Sequence, residues 1–251
     1  MDPTARFSSR VENYVKYRPH YPLEIIDILR EKCGFTPAWS VADIGSGTGI
    51  LTELFLKHGN LTFGVEPNGP MREAAERLLS GYPGFTSIAG SAERTALDDA
   101  CVEMVTAGQA FHWFDQDLAR REFRRILKPG GWVILIWNDR RSDATPFMAA
   151  FDQLVREYTQ ESRDVHGTRT DQETLSHLFS PNRYETCHCD NRWDCDFDSL
   201  KGGLLSSSYA PEAGHPRHEA MIADLGRVFE QHQTSGQVSM IYDTRIYLGH
   251  A

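Results

Sequence analysis

The sequence has no apolar run that approaches the roughly 18 residues needed to cross a membrane. Residues 1–6 lack the basic and then apolar pattern of a signal peptide. Five cysteines, an odd number in a chain of 251 residues, do not suit a disulfide framework. We therefore expect a cytoplasmic protein without membrane contacts, in which most cysteines are free thiols.

Basic residues are also scarce, because 26 Lys and Arg face 35 Asp and Glu, giving a formal net charge of −9. Such a chain has no overall basic field that would attract nucleic acid or anionic lipid. Its length suits one large α/β domain with a well-buried core. We expect a small-molecule partner, no nucleic acid, and a monomer or homodimer.

The stretch Val41-Ala-Asp-Ile-Gly-Ser-Gly-Thr-Gly-Ile50 organises the chain. An apolar run ends in Asp43, and three glycines at alternate positions lead into a helical pattern. Glycines let the backbone adopt positive φ and approach a ligand closely, while free N–H groups at the start of a helix point towards it. The dinucleotide-binding pattern would place its third glycine at position 50, which is isoleucine.

From residue 40 onward, short apolar runs alternate with helical patterns, which indicates a parallel sheet covered by helices. The patterns predict strands at 40–44, 61–66, 85–89, 102–107, 131–138, 184–193 and 238–248, the last two as a late antiparallel hairpin. They predict helices at 23–32, 48–58, 70–80, 117–127, 146–158 and 171–180, with further segments at 200–211 and 221–232.

Three segments beyond strand ends are candidates for binding. Glu66 ends the second predicted strand, where a carboxylate can accept both hydroxyl hydrogens of a ribose, although a solvated strand-end glutamate is the alternative. Ser91-Ala92-Glu93 follows the third strand and also suits an ordinary helix cap. The loop 107–115 follows the fourth strand, where ligands bind in open α/β sheets.

Together these motifs resemble the class I S-adenosylmethionine (SAM) dependent methyltransferases, specifically the small-molecule enzymes of the type 11 family. The resemblance rests on the glycine loop, on Gln-Ala-Phe-His-Trp-Phe (109–114), on Glu-Phe-Arg-Arg-Ile-Leu-Lys-Pro-Gly-Gly (122–131), and on the N-terminal Tyr-Val-Lys-Tyr-Arg-Pro-His-Tyr-Pro (14–22). It covers most of residues 7–138. Residues 139–251 also look like that group but carry no motif that assigns a substrate.

The resemblance implies a Rossmann-like seven-stranded, mostly parallel sheet with helices on both faces and an antiparallel last strand. It implies one domain, with an N-terminal cap (1–37), a SAM-binding core (38–138) and substrate-side helices and terminal strands (139–251), in which 195–235 helps to roof the site. The cofactor would be SAM and its product S-adenosyl-L-homocysteine. The cofactor residues would be Tyr14, Arg18, Asp43, Gly45, Ser46, Gly47, Thr48, Gly49, Glu66, Pro67, Met71, Ser91, Ala92, Glu93, Gln109 and Ala110.

The expected acceptor side comprises Tyr21, His112, Trp113, Arg140 and Tyr209. His112 has three interpretations: a general base, a polar wall of the pocket, or a loop residue bonded to backbone. As a base it would titrate near the imidazole value of about 6.5. Arg140 and Arg141 would hold an anionic group or form a surface pair.

Other patterns have simpler interpretations. Cys187, His188, Cys189 and Cys195 could suggest zinc, but neighbouring strand residues point to opposite faces, so we expect no metal. The arginines of 120–125 are explained by a solvated helix face. Competing functions are a nicotinamide oxidoreductase, which Ile50 disfavours, and a non-catalytic SAM-binding protein, which the intact glycine loop and Glu66 disfavour.

Overall fold

The computed structural model describes residues 17–158, 171–207 and 210–250. Within these ranges the strands are β1 Ser40–Ile44, β2 Leu61–Val65, β3 Phe85–Ile88, β4 Val102–Gly108, β5 Leu127–Arg140, β6 Tyr184–Cys195 and β7 Val238–Gly249. The helices are α1 Glu24–Cys33, α2 Ile50–His58, α3 Gly69–Leu78, α4 Gln116–Ile126, α5 Pro146–Tyr158, α6 Gln172–Phe179, α7 Phe197–Leu205 and α8 His218–His232. Tyr14 and Tyr209 lie outside the described residues.

The seven strands form one sheet in the order β3-β2-β1-β4-β5-β7-β6. Strands β1 to β5 pair in parallel, and β7 is antiparallel to both β5 and β6. Two apolar clusters cover the opposite faces, one with α4 and α6 and the other with α1 and α2. The predicted mostly parallel sheet with an antiparallel last strand is therefore confirmed.

The last two strands pair along their whole length, from Tyr184 opposite Gly249 to Cys195 opposite Val238. They are not a simple hairpin, because α7 and α8 lie between them in the chain. These helices and α5 share a third apolar cluster with the ends of β6 and β7. The connection therefore builds a small second core at one side of the sheet.

Strand β5 begins at Leu127, four residues earlier than the sequence pattern predicts. The segment Pro129-Gly130-Gly131 was expected to separate helix from strand, but it lies within the strand as an irregularity. Leu127 pairs with Val102 and Trp132 pairs with Met104, so the register shifts between these positions. Gly130 has φ +77°, a conformation that glycine adopts without strain.

Three arginines of α4 bind other parts of the chain, a role that the expected solvated face did not include, although Arg124 is exposed. Arg120 and Arg124 donate to the carbonyl of Ser180 at the end of α6. Arg125 donates to both oxygens of Glu122 and to Asp99. The charges thus fasten α4 to α6 and to the loop before β4.

No helix in the described ranges is long and apolar enough to cross a membrane.

Glu122 connects α4 to the loop that follows β3. Its carboxylate accepts hydrogen bonds from the Thr95 N–H and the Thr95 hydroxyl, at 2.7 and 2.6 Å, besides those from Arg125. The hydrogen bond from Arg125 is the main cause that lowers the pKa of Glu122 to about 2. A carboxylate whose pKa is lowered stabilises the fold above its unfolded value, and this contribution disappears as the pH falls through about 2.

We expect Glu122→Gln to lower the free energy of unfolding at neutral pH by about 2 to 3 kcal/mol, because the variant cannot hold the charge that these donors stabilise. Urea denaturation at several pH values measures this difference, which should shrink as the pH falls below about 4.5. Asp99→Asn is the control, since Asp99 is 80% exposed and should contribute much less. Equal losses in the two variants would contradict the assignment.

Candidate active site

The glycine loop joins β1 to α2 at the carboxyl end of the sheet. Gly45, Gly47 and Gly49 all have positive φ, at +68°, +58° and +88°. A Cβ on Gly45 would lie 2.8 Å from the Ala110 Cβ, so the loop also packs closely against the segment after β4. Helix α2 begins at Ile50, two residues later than expected, because Gly49 in the left-handed region occupies its N-cap.

Asp43 is buried beneath this loop with one oxygen satisfied. Its Oδ2 accepts a hydrogen bond of 2.7 Å from the Thr52 hydroxyl, while its Oδ1 has no partner among the described residues. Burial raises the pKa of Asp43 to about 7, against the opposing effect of the Thr52 hydrogen bond. The hydroxyl oxygens of Thr48 and Thr106 are likewise buried without a partner in the described structure. The site thus holds buried polar atoms that a bound ligand could satisfy.

Glu66 lies just beyond β2 and is 8% exposed. Its Oε2 accepts from the Gly47 N–H at 2.9 Å, and its Oε1 accepts from the Asn68 N–H at 2.8 Å. Burial raises its pKa, although both hydrogen bonds act in the opposite direction. Asn68 also caps α3 by accepting from the Met71 N–H, which orders the Pro67–Met71 turn. The backbone therefore fixes Glu66, and each oxygen keeps a further lone pair for a ligand.

The segment after β3 contacts the segment after β4. Ala92 is buried, and Ser91 forms an isolated bridge with Arg94. Glu93 accepts a hydrogen bond of 2.9 Å from the Asp115 N–H at the start of α4. The carboxylate of Glu93 thus ties these two loops together, whichever ligand they contact.

His112 and Trp113 form a short 3-10 helix after β4. Their rings lie 4.8 Å apart between centroids. The Nδ1 of His112 is buried without a partner in the described residues, and burial lowers its pKa to about 4. This pKa is lower than the value of about 6.5 expected for His112 as a base, because the sequence does not show that the ring is removed from water.

The segment 18–21 lies over a cavity between the ends of β1, β4 and β5. The cavity is partly open to solvent and is lined by Arg18, Pro19, Tyr21, Asp43, Gly45, Ser46, Ile50, Leu51, Gly108, Gln109 and Asn138. Arg18 donates to the Ser206 carbonyl, and the Tyr17 ring packs so closely on Gly202 of α7 that a Cβ there would overlap it. These contacts join the segment to α7.

Arg140 does not line this cavity. Its guanidinium lies 5.5 Å from the centre of the Phe151 ring, and it borders a separate depression with Asp139 and Asp243. The neighbouring Arg141 lies 3.4 Å from Asp190. Arg140 therefore borders a different depression from the cavity that Tyr21 lines.

The cysteine and histidine side chains of β6 separate as alternation predicts. Cys187 and Cys189 pack against the apolar cluster of α1, while His188 contacts Asp243 at 3.1 Å. No group of three or more His, Cys, Asp and Glu side chains in residues 17–158, 171–207 and 210–250 is placed to hold a metal ion.

Two polar side chains at the site were missed in the sequence, as were Pro19, Ile50, Leu51 and Gly108, which also line the cavity. Thr52 holds Asp43 from one helical turn into α2, and Asn138 lines the cavity from the end of β5. The position of Asn138 at the end of a predicted central strand was the available signal, as it was for Glu66. Thr52 gave none, because threonines are common on buried helix faces.

We expect the imidazole of His112 to stay neutral down to about pH 4, because burial disfavours its charged form. Titration of the histidine ring signals by NMR, with His112→Asn used to assign the resonance, measures this pKa. A midpoint near 6.5 would show that solvent reaches the ring and would contradict the described burial.

Comparison with known proteins agrees with this arrangement. Residues 42–135 match the family described as Methyltransferase domain. The chain is 25% identical over 245 residues to an uncharacterized methyltransferase-like protein of Schizosaccharomyces pombe, covering 96% of this chain and 93% of the relative. It is 37% identical over 139 residues to an uncharacterized methyltransferase of Mycobacterium bovis, covering 55% of this chain and 54% of the relative. The chain thus spans about half the length of that mycobacterial relative.

A solved structure shares the fold along nearly its whole length. The putative type II methyltransferase from Anaeromyxobacter dehalogenans has a TM-score of 0.69 and 23% sequence identity, covering 93% of this chain and 98% of that chain. At this identity the likeness establishes the fold. Residues 42–135 therefore match a methyltransferase domain, and the sheet order and the solved structure show that the chain has the class I methyltransferase fold.

Proposed function

We propose that this methyltransferase binds SAM and transfers its methyl group to a small-molecule acceptor. The observation that carries the proposal is the cavity under residues 18–21, in which the glycine loop, a buried carboxylate and an arginine meet. Asp43 and Arg18 supply one negative and one positive group, which match the ammonium and carboxylate of the methionyl part of SAM. The unsatisfied Oδ1 of Asp43 fits such a cation.

Glu66 is suited to the ribose. Its two oxygens are held by backbone N–H groups, so they need no reorganisation when a vicinal diol binds. Met71 and Ala92 are buried near the ends of the neighbouring elements and would form apolar contacts with an adenine. These residues lie at the carboxyl ends of parallel strands, where α/β folds bind nucleotide ligands.

When bound, SAM supplies a methyl group that is already activated by its sulfonium. The chain must therefore mainly align the acceptor with the methyl carbon and exclude water. His112 is neutral at pH 7, so it can accept a proton in principle, but a pKa of about 4 makes it a weak base. This favours His112 as a polar wall of the pocket and an acceptor that needs little help with deprotonation.

The acceptor, the oligomeric state and the compartment stay predictions. We propose a small acceptor because the net charge of −9 does not attract nucleic acid. We propose a cytoplasmic location because the five cysteines, an odd number, suit a reducing compartment. Calorimetry with SAM and NAD tests the cofactor. Incubating purified protein with methyl-labelled SAM and metabolite pools, followed by identification of the labelled product, tests the reaction. Binding of NAD without SAM would overturn the proposal.

We expect Glu66→Ala to weaken SAM binding by about 1.5 to 3 kcal/mol, the scale of a charge-assisted hydrogen bond. Calorimetry measures the dissociation constant. Glu73→Ala is the matched control, because Glu73 is exposed on α3, the helix that begins just after Glu66. Unchanged affinity in a folded Glu66→Ala variant would remove Glu66 from the site.

We expect SAM affinity to rise between about pH 5.5 and 7, by up to about tenfold per unit, because a cation bound beside Asp43 requires its ionised form. The raised pKa means that Asp43 is largely protonated below about pH 7, so binding there releases a proton. Calorimetry in buffers with different ionisation enthalpies measures that proton. Asp43→Asn should abolish both effects, whereas an unaltered pH profile in this variant would contradict the role of Asp43.

A further inference from the structure

Asn138 is a polar residue of β5 that contacts the last two strands. It is 9% exposed, lies near the end of β5, and lines the same cavity as Asp43 and Arg18. Its backbone carbonyl accepts a hydrogen bond of 3.2 Å from the Gln109 side chain. Asn138 is therefore held at the cavity wall by main-chain and side-chain contacts together.

The hydrogen bonds determine which way the amide of Asn138 points. Its Oδ1 accepts 2.6 Å from the Thr244 hydroxyl of β7 and 3.3 Å from the Asn191 Nδ2 of β6. The same Asn191 Nδ2 donates to the His20 carbonyl at 2.9 Å, which identifies it as a donor. The atom of Asn138 that faces it must consequently be the oxygen.

The Nδ2 of Asn138 is the remaining end of this fixed amide. This nitrogen forms no hydrogen bond within the described residues. It is not fully buried, so ligand or solvent can reach it. Because Oδ1 is held by β7 and β6, Nδ2 is the end of the amide that is left for the cavity that Asn138 lines. An amide NH₂ is a pure donor and requires an acceptor.

We propose that Asn138 Nδ2 donates a hydrogen bond to the carboxylate of the methionyl part of SAM, on the same side of the cofactor as Arg18. The inference rests on the proposed function. A carboxylate is an acceptor-only group, so it suits the Asn138 donor, whereas the ammonium suits the Asp43 oxygen that lacks a partner. Asn138 is then a binding residue that discriminates the amino-acid end of the cofactor.

The test compares SAM with decarboxylated SAM, which keeps the ammonium, sulfonium and adenosine but lacks the carboxylate. Asn138→Asp keeps the shape and the acceptor oxygen for Thr244 and Asn191, and it replaces the donor by a second oxygen. We expect its affinity for SAM to fall by about tenfold or more and its affinity for decarboxylated SAM to stay constant or rise. Asn182→Asp, which changes an exposed asparagine bonded to the His250 carbonyl, is the control.

Asn138→Ala is a second variant that adds no charge, and thermal denaturation checks that both variants fold. For this variant we expect the affinity for SAM to fall several-fold and the affinity for decarboxylated SAM to stay unchanged. Unchanged SAM affinity would overturn the inference and assign Nδ2 to the acceptor molecule, and equal losses for both ligands would reduce Asn138 to a structural role. If the wild-type chain binds neither ligand, the proposed function itself fails. This outcome differs from failure of the Asn138 inference, because it is seen in the wild-type chain without any variant.

Discussion

The site depends on one constraint, the divergence of the chain on either side of β1. The sheet grows from β1 towards β2 and β3 in one direction and towards β4 and β5 in the other. The connections after β1 and β4 therefore leave in different directions, and a crevice opens between their carboxyl ends. The glycine loop, Asp43 and the segment of Gly108 all border that crevice. Sheet order thus determines where chemistry can occur before any side chain is specified.

Rigidity of the polar groups is the second feature of the crevice. Glu66 and Asn138 are each held by two hydrogen bonds that use only part of their bonding capacity. Groups that are fixed in advance bind a ligand without losing further side-chain freedom. Asp43 differs, since it keeps a buried oxygen without a partner and a raised pKa. Burying this carboxyl group lowers the stability of the free protein, and the loss is offset when a cation binds.

The sequence predicted the sheet and much of the site because both depend on local patterns. Alternating runs located every strand, and the alternate glycines located the loop. The orientation of the Asn138 amide could not be predicted in the same way, because it depends on Thr244 and Asn191, which are far along the chain and meet it only through strand register. The burial of His112, which lowers its pKa, was hidden for a similar reason, since burial arises from the packing of distant segments. The arginines of α4 likewise found partners that only tertiary contacts reveal.

The attachment of the N-terminal segment to α7 has a consequence for variation among related enzymes. Tyr17 rests on the bare backbone of Gly202, and Arg18 binds the carbonyl of Ser206. Carbonyls and glycine surfaces do not depend on the identity of neighbouring side chains. Outward-facing positions of α7 can therefore drift during evolution without loosening the cover of the cavity. Position 202 cannot, because any added side chain would overlap the Tyr17 ring and displace the segment that covers the cavity.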